Sequence, residues 1–104
     1  MHIGQTLDKT KLIHYILRMP TISLFYGIKI FMNWDEHNPP HFHVEYAEYS
    51  ASVLIQDCIV TTGYLPNRQL KLVLAWCEIH KDELMQNWEL SRYGQPMNKI
   101  NPLV

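Results

Sequence analysis

The apolar residues of this chain change their period once. From residue 21 to residue 62 they come in short runs and alternations; from residue 66 to residue 93 they recur every three or four positions. After Gly27, Ile28, Ile30 and Met32 alternate with Lys29 and Phe31. That period of two predicts a strand over 21–33, or two short strands bent at the glycine. In HFHVEYA, residues 41–47, Phe42, Val44 and Tyr46 fall on one face, and His41, His43 and Glu45 on the other. The runs SASVLIQ (50–56) and CIVTT (58–62) read as a third and a fourth strand, with Gly63 closing the last.

Pro66 then opens a helical pattern, in a position where its missing N–H does no harm. Leu70, Val73, Leu74, Cys77, Leu84 and Trp88 keep helical spacing until Gly94 and Pro96 stop it. One unbroken helix from Pro66 to Tyr93 would run roughly 40 Å. That exceeds a sheet of four short strands, so a break is expected near His80-Lys81-Asp82, with Asp82 placed to cap a second helix. The tail from Gln95 to Val104 reads as extended chain on the surface. At the other end, residues 1–18 place Leu12, Ile13, Ile16 and Leu17 on one helical face behind Thr6 or Asp8, and Met19-Pro20 ends the helix. The predicted architecture is α+β. A small antiparallel meander of three to four strands packs on one or two C-terminal helices, with an extra N-terminal helix. The division is a helical extension over 1–18 and a single domain over 19–104.

Composition narrows this further. At 104 residues, 47% hydrophobic and 18% charged, the chain fits one folded domain. Cys58 and Cys77 are too few for a zinc site built on cysteine and read as small buried side chains. No apolar run approaches the length of a membrane span, so the expectation is a soluble, cytoplasmic protein. The net charge of −1 is unevenly spread. Residues 19–65 carry Lys29 alone against Asp35, Glu36, Glu45, Glu48 and Asp57. An acidic field repels phosphate, which disfavours nucleic acid for this half and suits a cation or a basic partner.

The candidate chemistry lies in that acidic half. WDEHNPPHFHVEY, residues 34–46, holds His37, His41 and His43, three of the six histidines. On a strand, H-x-H sets two imidazoles on one face about 7 Å apart. Asn38-Pro39-Pro40 stiffens the link back to His37. Neutral imidazole ligates zinc, copper, iron and nickel, so His37, His41 and His43 are candidate ligands for a divalent transition metal such as zinc. Asp35 or Glu36 would serve as a fourth ligand or as an orienting carboxylate, and Trp34 as the wall of a pocket. Two neighbouring imidazoles can also act as acid and base without a metal, as a small ribonuclease would need, with Arg68, Lys71 or Arg92 folded close by. The plain alternative is a tight turn of Asp, Asn and Pro with histidines on a solvated strand face. For Trp76 and Trp88 the plain reading is core, and for His80 a cation at a helix C-terminus.

The stretches MPTISLFYGIKIFM, DEHNPPHFHVEY and LPNRQLKLVLAWCEIHKDELMQNWEL together resemble the bacterial family known as domain of unknown function 4160. The marks of the resemblance are Met19-Pro20, the turn and strand from His37 to Val44, and Trp76, His80, Glu83, Leu84 and Trp88. It covers residues 19–104 and leaves 1–18 outside. It implies a small protein whose gene stands beside that of another small protein, in an arrangement like a toxin–antitoxin pair. Three functions fit this sequence. The first is a component of such a module that binds a cognate protein through the histidine turn. The second is a small hydrolase, most plausibly a ribonuclease, with or without a metal. The third is a structural or self-associating domain, for which a homodimer through a sheet edge or the N-terminal helix is the expectation.

Overall fold

The computed structural model describes residues 20–104. The helix expected over 1–18, and any association through it, lies outside those residues. Five strands come first: β1 (Thr21–Phe25), β2 (Ile28–Phe31), β3 (His41–Tyr46), β4 (Tyr49–Leu54) and β5 (Ile59–Gly63). Two helices follow, α1 (Asn67–Ile79) and α2 (Lys81–Arg92). The strands form one antiparallel sheet in chain order, β1-β2-β3-β4-β5, so the α+β meander expected from the sequence is the observed architecture. The count reaches five because residues 21–33 fold as a hairpin. Tyr26 and Gly27 both adopt positive φ, 50° and 77°. That is the two-residue turn whose twist matches the flanking strands.

The alternation in sequence becomes two faces of the sheet. Ile30, Val44 and Ala51 are successive cross-strand partners, as are Phe42 and Val53, and all five are buried. They join Val73, Trp76, Cys77, Leu84 and Trp88 of the helices in one core. Trp76 fills the middle, its ring centre 5.5 Å from that of Phe25 and 5.8 Å from that of Phe42. Full burial of a side chain the size of Val, Leu or Phe is worth about 1.5–3 kcal/mol, so this face holds the fold together. The opposite face carries the partners Phe31, His43, Ser52 and Thr62 in one row across β2 to β5. Gly63 ends β5 at φ 84°, and a Cβ there would lie 2.2 Å from the Ser50 carbonyl oxygen. Only glycine fits that approach.

The helical pattern breaks at His80. Its backbone N–H donates to the Trp76 carbonyl, closing α1, and its own carbonyl accepts from Leu84 N–H, opening α2. Asp82 stands in the first turn of α2 and its side chain caps nothing. Buried positions 73, 76 and 77 in α1, and 84, 87, 88 and 91 in α2, follow the three-four spacing of an amphipathic helix. The tail is extended, as its composition predicts, and it is tied down. Asn87, fully buried, donates to the Asn98 carbonyl and accepts from the Asn98 N–H, both at 2.8 Å. Ile100 N–H donates to the Ile22 carbonyl on the β1 edge, and Trp76 Nε1 donates to the Asn101 carbonyl. No helix among the described residues is long and apolar enough to cross a membrane.

Candidate functional site

The period of two turns His41 and His43 to the same side of β3, while Phe42 and Val44 go fully into the core. Their rings meet edge to face with centres 5.1 Å apart. The loop between β2 and β3 then brings Glu36 over both. His41 Nε2 donates to Glu36 Oε1 at 2.8 Å and His43 Nε2 donates to Glu36 Oε2 at 2.7 Å. Asn33 Nδ2 donates to Glu36 Oε2 at 2.6 Å. One carboxylate therefore joins two imidazoles and an amide, and all three titratable side chains are only about one-fifth exposed. One ligand atom each from Glu36, His41 and His43 fall within 4.8 Å of one another.

The surroundings fix each ring. His41 Nδ1 donates to the Pro39 carbonyl at 2.8 Å, so the Pro-Pro turn supplies the acceptor that orients this imidazole. A nitrogen facing a carbonyl must carry hydrogen, and so must one facing an ionised carboxylate. His43 stacks on Phe31 at 5.1 Å, and its Nδ1 lies 3.4 Å from Ser52 Oγ, a group able to donate or accept. Trp88 backs His41, ring centres 5.3 Å apart. Burial pushes the Glu36 carboxyl up. The hydrogen bond and charge of His43, with the hydrogen bonds from His41 and Asn33, outweigh it and hold the group below its ordinary value. Asn33 Oδ1 and Trp88 Nε1 are buried without a hydrogen-bond partner among the described residues. A spare acceptor and a spare donor thus flank the cluster, and burying each unpaired costs about 1–3 kcal/mol.

Of the residues singled out in the sequence, Glu36, His41 and His43 come together. His37 does not join them. It is exposed, because turning Glu36 inward leaves its neighbour pointing out, and it lines the hollows beside the cluster. The group whose ligand atoms converge is Glu36, His41 and His43, whereas the sequence pattern groups His37 with the two strand histidines. Asp35 is exposed at φ 61° and lines one of those hollows. Trp34 is half-buried; its Nε1 donates to the Gln95 carbonyl at 3.0 Å and pins the start of the tail. Asn33, Ser52 and Trp88 belong to the site and were not singled out for it. The spacing of three between Asn33 and Glu36 is a turn signal in the sequence. The approach of Ser52 comes from strand register, and that of Trp88 from helix packing.

Three hollows surround the cluster. One, of about 330 Å³, lies between the 36–39 turn with His41 and the outer residues Ser52, Leu54, Thr61 and Thr62. A second, about 220 Å³, runs past His43 and Glu45 to Ser50 and Gly63. A third, about 350 Å³, joins Asp35, His37 and Asn38 to Arg92 at the end of α2. Of the three cations considered for a nuclease, Arg92 alone lines any of them. The family model for the domain of unknown function DUF4160 matches residues 27–89. That stretch contains the whole cluster. No curated protein and no solved structure matches the chain.

Proposed function

The chain belongs to the DUF4160 family, and on that premise we propose that it holds a divalent transition-metal ion, with zinc the first candidate, on Glu36, His41 and His43. The observation that carries this reading is the fixed imidazole of His41. Its Nδ1–H is committed to the Pro39 carbonyl, and its Nε2 is aimed at a carboxylate oxygen 2.8 Å away. Metal-ligating histidines have this arrangement, with one nitrogen on the ion and the other N–H on a backbone carbonyl. An ion between Nε2 and Glu36 would leave the Nδ1 contact to the Pro39 carbonyl as it stands. His43 is equally prepared, since Ser52 Oγ can accept from Nδ1–H once Nε2 binds the ion. Asn33 then orients the carboxylate from outside. Two histidines and one glutamate leave a tetrahedral ion one position for water, which is the pattern of catalytic zinc sites and not of closed structural ones. An ion held by these residues would acidify a water bound to it. The reaction class this suits is hydrolysis.

A second reading has its own observation. Both oxygens of Glu36 are already engaged, with its carboxyl held below the ordinary value, so a metal-free bridge can pin the loop to β3. The toxin–antitoxin-like role rests on the resemblance, and adds a cognate protein as partner. Metal content separates the first two readings. Purified protein dialysed against trace zinc is expected to retain one ion per chain. Glu36→Gln, which keeps the shape and loses the charge, is expected to retain far less while staying folded. Zinc-free wild type under those conditions would leave the structural bridge.

A further inference from the structure

The three hollows around the cluster share lining residues. The first two share Ser52 and Thr62, and the first and third share Glu36, His37 and Asn38. Taken in order, their linings outline a trough along the outer face of β4 from Ser50 past Ser52 to Leu54, turning at residues 36–38 toward Arg92. Four residues of strand are about 13 Å long, so β4 alone provides floor for an extended chain of four residues. A compact small molecule would use one hollow. A chain molecule would use all three.

The lining decides which chain. Ser50, Ser52, Thr61 and Thr62 offer hydroxyls that can donate to a carbonyl or accept from an N–H, and Leu54 with Pro39 adds an apolar spot. Glu45 stands at one end and Asp35 toward the other, both exposed. Among the described residues, Arg92 is the one lysine or arginine in the lining, with Lys29 beside the lining on Glu45. A polyphosphate backbone would need several cations and would meet acids at both ends. A peptide needs no charge for its backbone, and a lysine of it would find Asp35, or Glu45 in exchange for Lys29, which pairs with Glu45 at 3.6 Å.

We propose that this trough binds an extended, lysine-bearing peptide segment of a partner protein, laid along the outer face of β4 so that it crosses the open side of the Glu36–His41–His43 cluster. This deepens the metal reading and rests on it in one respect only: a peptide carbonyl at His41 would meet the ion's open position. The trough itself is formed by protein side chains.

The test uses the full chain loaded with zinc. A random heptapeptide library displayed on phage is selected against it, and the enriched peptide is synthesised and titrated, in parallel with a heptauridylate oligonucleotide. The expected result is an enriched family carrying lysine, bound at least tenfold more weakly by Thr62→Arg and by Ser50→Arg, whose zinc content and thermal midpoint are unchanged. Neither residue belongs to the cluster. No enriched peptide, equal binding by both variants, or tighter binding of the oligonucleotide would overturn the proposal. Zinc and peptide are measured on the same samples. Zinc retained without peptide binding removes the trough and keeps the metal site. Peptide bound in the trough by zinc-free protein keeps the trough and removes the metal.

Discussion

Among the described residues, two unions of histidine with glutamate differ in kind. In one, Glu36 comes from a loop and meets His41 and His43 of a strand, with Asn33 as a third donor. In the other, His80 Nδ1 donates to Glu83 within the first turn of α2, three residues away. The first gathers side chains five and seven residues apart in a half-buried setting, and each ring has a second partner that fixes it. The second is a local pair whose glutamate is half exposed, at 50%. A local pair comes almost free with a helix start. A convergent one requires the loop, the turn and the strand to agree. Convergence with fixed rings, not the mere presence of His and Glu, separates a candidate ligand set from a helix-terminal contact.

The largest expected effect would break that contrast outright. His41→Ala/His43→Ala should lose stoichiometric zinc, while His80→Ala retains it, as read by elemental analysis of protein purified in parallel. Loss of zinc in His80→Ala would mean that the local pair is the ligand set. The next effect is smaller and tests the surroundings of the first cluster. Asn33 reaches no ion but orients Glu36, and groups in that role typically contribute 10–100-fold to metal affinity. Asn33→Ala should weaken zinc binding by about that factor in a chelator competition. Unchanged affinity would reduce Asn33 to a turn residue.

A third effect concerns acid stability of the metal-free protein. Folded Glu36 titrates below its ordinary value of 4.5. Its contribution to stability is therefore present above that value and is lost as pH falls through the lower folded one, because the unfolded chain binds the proton first. Thermal midpoints measured with chelator should show wild type ahead of Glu36→Gln near neutral pH and the gap closing as pH drops below about 4.5. A gap that widens in acid would mean that burial, which raises the value, dominates after all.

The contrast also explains what could be read from the chain. The strands were legible because burial alternates with period two, as at Phe42 and Val44, and the helix break because a 28-residue helix has no sheet to cover. His80 is where that break falls. At the site, His41 and His43 were legible as a pair for the same reason as their strand. The choice between Asp35, Glu36 and His37 was not, because three neighbours in a loop have no period. Their directions depend on the local backbone, with Asp35 at φ 61°. Trp88 read as core, and it is core at 1% exposure. Its second role behind His41 depends on how α2 crosses β3, which no local pattern encodes.

The smallest expected effect belongs to the local pair. His80 sits where α1 ends and α2 begins, and its backbone serves both helices through Trp76 and Leu84. Alanine keeps those two hydrogen bonds. The imidazole also packs on Trp76, ring centres 5.3 Å apart, so His80→Ala will lose some contact whether or not Glu83 is present. A double-mutant cycle on His80→Ala and Glu83→Ala removes that shared loss and leaves the coupling. Exposed pairs at this spacing couple by under about 1 kcal/mol, and salt screens them. The cycle, run by denaturant unfolding at low and high salt, should return a value in that range that shrinks with salt. A coupling above about 2 kcal/mol, insensitive to salt, would place this pair beside Glu36, His41 and His43 and erase the distinction between the two.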